Sequence, residues 1–172
     1  ASHRRLVAYI CAHGEARALS LDYRLAPEHP FPAALEDTLA AYRYLRDGGI
    51  APCRTAFAGD SAGAHLVLAA LIALRDAGEP LPAAAVCISP PTDFTGASES
   101  LTSRARIDPL VSLESVTPML RSYVGNAQPN DPRVSPLLAD LRGLPPLLIH
   151  VGSREILHDD SVRFAQKAKK AG

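Results

Sequence analysis

Two periods of apolar residues alternate along this chain. From Ala33 to Asp47, Leu35, Leu39, Tyr42 and Leu45 fall at steps of three and four, which predicts a helix ended by Gly48-Gly49. Ser2 to about His13 reads as an earlier helix, with His13-Gly14 as its C-terminus. Ala62 to Asp76 is apolar nearly all round, so this helix is expected to be buried. Between the helical stretches lie short continuous apolar runs that read as strands: Ala18-Leu19-Ser20-Leu21 within Ala16 to Tyr23, Thr55 to Ala58, Ala83 to Ile88, and Pro146 to Val151. A Pro-rich loop with Pro27, Pro30 and Pro32 follows the first of these. Ser112 to about Tyr123 reads as a helix with Pro118 as a kink position, and Asn126 to Pro132 as a turn-rich connector. Asp159 or Asp160 is expected to cap a last amphipathic helix ending at Gly172.

Strands alternating with helices predict an α/β domain with a mainly parallel sheet, and the unbroken apolar runs predict helices on both of its faces. The stretch from Pro90 to Pro132 is the least sheet-like and fits either a cap-like insertion or a long connection to the next strand.

Composition narrows the class. The chain has 172 residues, 47% hydrophobic and 21% charged, with a formal net charge of zero. That length suits one domain over residues 1–172 with a real core. Zero net charge argues against nucleic acid as a partner, and no apolar run is long enough for a membrane span. Cys11, Cys53 and Cys87 are an odd count without metal-ligand or CxxC spacing, which reads as free thiols in a reducing, cytoplasmic compartment.

The candidate chemistry lies at Gly59-Asp60-Ser61-Ala62-Gly63, between a predicted strand and the buried helix. A nucleophilic serine needs this context: a tight, strained turn that projects its hydroxyl above the sheet, with glycines where strand and helix approach. The helix N-terminus and the Ala62 N–H then face the oxyanion that develops. The bland alternative is a Ser or Asp capping an ordinary helix.

The segment Tyr23-Arg24-Leu25-Ala26-Pro27-Glu28, continuing through Phe31-Pro32-Ala33-Ala34-Leu35-Glu36-Asp37, resembles the YRLAPE-x-x-FPAALED signature of the hormone-sensitive-lipase family of esterases, bacterial family IV type. Gly-Asp-Ser-Ala-Gly is that family's form of the serine turn. Asp131-Pro132-Arg133-Val134-Ser135-Pro136-Leu137, Leu144-Pro145-Pro146 and the run from Val151 to Ser161 resemble it too, so the likeness covers essentially the whole chain. It implies an α/β-hydrolase core, no cofactor and no metal. It implies hydrolysis of short- to medium-chain acyl esters through an acyl-enzyme, with Ser61 as nucleophile. The family's acid follows a strand, which matches Glu155; Asp159 and Asp160 are its rivals, with helix capping as their bland role.

Two parts of that machinery have no match here: an upstream HGGG-type oxyanion segment and a histidine downstream of the acid. None of His3, His13, His29, His65, His150 and His158 stands in the chain position of the base; His65, one turn past Ser61, reads as a packed, hydrogen-bonded residue. The ends, lacking an initiator Met and stopping at Gly172, therefore predict a partial catalytic domain, nearly inert by itself. Asp60 and the loop Pro90-Pro91-Thr92-Asp93-Phe94 fit either a pocket rim or a structural role. A homodimer through an edge strand or the last helix is a further expectation from the resemblance. The alternatives to an esterase are a non-catalytic, ligand-binding relative, as the plant gibberellin receptors are in this family, and an amidase or peptidase on the same fold.

Overall fold

The computed structural model describes residues 3–172. Helix α1 spans Arg4–His13, α2 Ala33–Asp47, strand β1 Ala56–Asp60, α3 Ala62–Asp76 and β2 Ala84–Ile88. After them come the short α4 (Ser100–Ser103), α5 (Leu113–Val124), β3 (Leu147–His150) and α6 (His158–Ala171). The Ser2 start expected for the first helix lies outside the described residues, and Gly14 ends that helix as expected, its N–H donating to the Ile10 carbonyl.

The three strands form one parallel sheet in the order β1-β2-β3, with Ala58 beside Val86 and Val86 beside Leu148. Helix α3 lies between this sheet and α2, which explains its all-round apolar surface. Ala64, Val67, Leu68 and Leu71 pack with Ala85, Cys87 and Phe164 of α6, while Leu66, Ala69 and Ala70 pack with Ala34 and Leu35 of α2. Tyr42 is buried in α2 and donates its hydroxyl to the Pro80 carbonyl at 2.9 Å.

The α/β-hydrolase fold with a parallel sheet and packed helices is as expected, and the burial pattern shows which face the described helices occupy. In β2, Ala85 and Cys87 point to α3 and are buried, whereas Ala84, Val86 and Ile88 are half-buried. Next to them Ala56 and Ala58 are exposed, and Leu148 is 51% exposed. Among the described residues, the helices cover one face of the sheet. The strand expected at Ala18–Leu21 does not form. A strand needs a neighbour for its N–H and C=O groups, and the exposed Ala16–Leu21 stretch has no ladder partner among the described residues.

Residues 90–132 are a connection, not an inserted cap: they lead from β2 toward its parallel neighbour β3 and carry α4 and α5 but no strand. Ser112 caps α5 by accepting the Ser115 N–H, and the helix continues through Pro118 to Val124. The last helix departs from expectation at its start. Its N-cap is Leu157, and Asp159 and Asp160 lie inside the first turn without capping it.

Candidate active site

One residue, Ser61, separates the end of β1 from the start of α3. It turns the chain with φ 53° and ψ −116°, a positive φ that an L-residue adopts only under constraint. Its N–H donates to the Ile88 carbonyl at the end of β2 (2.8 Å), and its carbonyl accepts the His65 N–H (3.0 Å). Strand and helix meet so closely here that a Cβ on Gly59 would lie 2.3 Å from the backbone of Gly63 and 2.5 Å from the Ala64 nitrogen. A Cβ on Gly63 would meet nothing within 4 Å. The close approach therefore requires a glycine at 59, and the expectation that Gly63 serves the same purpose is corrected.

The capping alternative for Ser61 fails on geometry. Ser61 stands at the N-cap position of α3, yet its side chain makes no capping hydrogen bond, and the residue is exposed. Ala62 is the first helical residue, so its N–H belongs to the first-turn amides that no carbonyl within the helix can pair. Asp60 points elsewhere: its carboxylate lies 3.0 Å from Nε2 of His3.

Glu155 sits on the turn that follows β3. The Gly152 N–H donates to Glu155 Oε1 at 2.7 Å, and a Cβ on Gly152 would lie 2.6 Å from that oxygen. Glu155 lines an open hollow of about 460 Å³ together with Ile88, Ser89, His150 and Gly152, at the carboxyl ends of β2 and β3. Ile88, whose carbonyl holds the Ser61 amide, forms one wall of it. Ser61 and Glu155 thus both occupy the carboxyl end of the parallel sheet, where ligands bind in open α/β folds.

The two rival carboxylates are taken up elsewhere. Asp160 is 2% exposed; its Oδ2 accepts the N–H groups of Thr92 (2.6 Å) and Asp93 (2.9 Å), and its Oδ1 accepts the Ser98 hydroxyl. Burial pushes its pKa above the ordinary value against the opposing pull of these donors. Asp159 accepts the Ser100 N–H at 2.8 Å, and its neighbour His158 holds its carboxyl below the usual range. Asp93 completes this network, accepting from Arg163 at 2.8 Å. The loop expected to form either a rim or a support is a support: residues 90–93 are buried, and the N–H groups of Thr92 and Asp93 go to Asp160.

The whole chain, residues 1–172, matches the family described as alpha/beta hydrolase fold. The chain belongs to the α/β-hydrolase family. An acetyl-hydrolase of Streptomyces hygroscopicus is 51% identical over 99% of this chain, and an esterase of Acinetobacter venetianus is 42% identical over the same share. A solved esterase from the bacterial hormone-sensitive lipase family is 52% identical, with a TM-score of 0.96 over 99% of this chain. The resemblance read from the YRLAPE segment and the serine turn is borne out. The chain spans a little over half the length of these relatives: 57%, 56% and 58%.

In this α/β-hydrolase, among the described residues, His13, His29, His65, His150 and His158 make no side-chain hydrogen bond to Ser61. His65 is buried with Nδ1 3.2 Å from the Pro91 carbonyl and Nε2 2.9 Å from the Tyr123 hydroxyl, and burial pushes its pKa down to about 4. It is a neutral packing residue, as expected. His13, His29 and His150 are exposed, and His158 lies 3.1 Å from Asp159. The signature segment also has a structural job that sequence reasoning did not assign. Arg24 donates to both carboxylate oxygens of Asp37 and to the Ala33 carbonyl, strapping the Pro-rich loop to α2. Also missed was Asp108, whose Oδ2 accepts the Ile156 N–H at 2.8 Å, next to Glu155. Its distance along the chain left no signal to find it.

Proposed function

We propose that the whole protein is a serine carboxylester hydrolase acting on short- to medium-chain acyl esters. The observation that carries this reading is Ser61, held at φ 53° on a one-residue turn between strand and helix with its hydroxyl free of any capping bond. The names of the relatives, acetyl-hydrolase and esterase, support the same chemistry.

Ser61 Oγ attacks the ester carbonyl carbon, and its proton passes to a histidine supplied by a part of the whole protein beyond these residues. The carbonyl oxygen becomes an oxyanion facing the Ala62 N–H and the positive end of α3. Glu155 orients the histidine and stabilises its charged form. The histidine then protonates the leaving alcohol, and water releases the acyl group from Ser61 by the same steps in reverse.

Hydrolysis of p-nitrophenyl butyrate by the whole protein tests this. Ser61→Ala is expected to lower kcat by on the order of 10⁶; a variant with the wild-type rate would refute the assignment. A series of esters from acetyl to long acyl chains, with a matched amide, separates an esterase from a long-chain lipase or an amidase.

A homodimer and a cytoplasmic location belong to the same proposal. The homodimer, through an edge strand or the last helix, is carried over from the family resemblance. Cys11, Cys53 and Cys87 are free, which suits a reducing compartment. Among the described residues no helix is long and apolar enough to cross a membrane. Light scattering and cell fractionation test the two assignments.

A further inference from the structure

We propose that Asp108, with Ser100, is the positioning pair that sets the orientation of Glu155. This inference rests on the reading of Glu155 as the acid of the site. Two consecutive peptide groups follow Glu155, and both are pinned by side chains distant in sequence. Asp108 Oδ2 accepts the Ile156 N–H at 2.8 Å across 48 residues of chain. Ser100 Oγ donates to the Ile156 carbonyl at 2.7 Å and accepts the Asp159 N–H at 3.0 Å. Ser100 is fully buried, as is the Ile156 side chain. The peptide plane that contains the Ile156 N–H also contains the Cα of Glu155, so fixing that N–H fixes the carbon from which the carboxylate is aimed. From the other side, the Gly152 N–H holds Oε1.

Asp108 suits this job because both of its oxygens accept from backbone N–H groups. Oδ2 reaches Ile156, and Oδ1 takes the N–H groups of Leu110 and Val111, each at 2.9 Å, so the carboxylate ties its own loop to the acid turn. Burial works to raise its pKa, but these three donors outweigh burial and hold it below the ordinary value. It therefore stays an anion at neutral pH. An asparagine has the same shape but one acceptor oxygen, so its NH₂ group must face either Ile156 or the Leu110–Val111 pair, and one side of the tie breaks. Neither Asp108 nor Ser100 lines the hollow beside Glu155. Both act through the backbone.

The test is a double-mutant cycle in the whole protein with p-nitrophenyl butyrate. Asp108→Asn is expected to lower kcat by about 10- to 100-fold, the cost of a small misplacement of a catalytic group, while KM stays within about twofold. Combined with Glu155→Ala, Asp108→Asn is expected to add no further loss, because the group it positions is gone. A wild-type kcat for Asp108→Asn, or losses that multiply in the double variant, would overturn the inference while leaving Glu155 as the acid. A wild-type kcat for Glu155→Ala would overturn both. Circular dichroism melts check folding. If Asp108→Asn does not fold, Ser100→Ala enters the same cycle and the same results decide.

Discussion

The turn at Ser61 and the turn at Glu155 both leave the carboxyl end of a parallel strand, yet they are built in opposite ways. The serine turn is supported mostly from within itself. Its strained φ is held between a strand and a helix joined by one residue, and the contact that makes it tight, Gly59 on Gly63, spans four positions. The acid turn also has short-range bonds, from the Gly152 N–H to Glu155 Oε1, from the Glu155 N–H to the Gly152 carbonyl and from the His158 N–H to the Glu155 carbonyl, but these do not complete it. Its remaining supports arrive from Thr92, Asp93, Ser98, Ser100 and Asp108 on the connection between β2 and β3. A local device carries most of its specification in a five-residue motif. A device assembled across dozens of residues leaves only its most recognisable member in the sequence.

Breaking the contact inside the serine turn has the largest expected effect on stability. Gly59→Ala places a methyl carbon 2.3 Å from rigid backbone and is expected to cost more than about 4 kcal/mol, enough to unfold a marginal domain, as read by denaturant melts. On the other side of the comparison, Asp160→Ala strips the partner from two buried N–H groups and the Ser98 hydroxyl, an expected loss of about 4 kcal/mol in the same assay. Asp160→Asn keeps most of that stability, since its amide oxygen still accepts from Thr92 and Asp93. An Asp160→Ala protein as stable as wild type would show that the acid turn does not depend on its distant supports.

The next effect links the two regions. His65 lies on the helix that follows Ser61 but bonds to Pro91 and Tyr123 on the connection. Its folded pKa, about 4, is depressed below its ordinary 6.5. The unfolded chain therefore binds a proton first as pH falls. The stability contributed by neutral His65 is full above about pH 6.5, declines below it, and is gone once pH drops through about 4, a loss of at most about 3 kcal/mol. The wild type is expected to lose about that much more than His65→Asn between pH 7 and 4; identical slopes would refute it. The smallest effect is Gly63→Ala. Its Cβ enters open space in the first turn of α3, so melts should show a change between zero and a gain of about 1 kcal/mol. The contrast between Gly59 and Gly63 sharpens the claim that the serine turn needs one glycine for packing.

Legibility followed the range of the interactions. Helices α2 and α3 have the limits their periodicity predicts, because an amphipathic or all-apolar helix satisfies its own backbone and needs only a surface to bury. Ala18–Leu21 has the composition of a strand and forms none, because a strand depends on a neighbour. Asp159 and Asp160 have the composition of helix caps and instead bind the connection after β2, a choice that composition cannot express.

Sequence by itself determined the α/β class, the serine at a strand-to-helix turn and the family, since these rest on periodicity and contiguous motifs. Tertiary structure alone decided that the capping role of Ser61 fails. It also placed Asp159 and Asp160 in the scaffold and left Glu155 at the open hollow. Each of those outcomes depends on which distant backbone groups a side chain meets, and that is set by how the chain packs rather than by the order of its residues nearby.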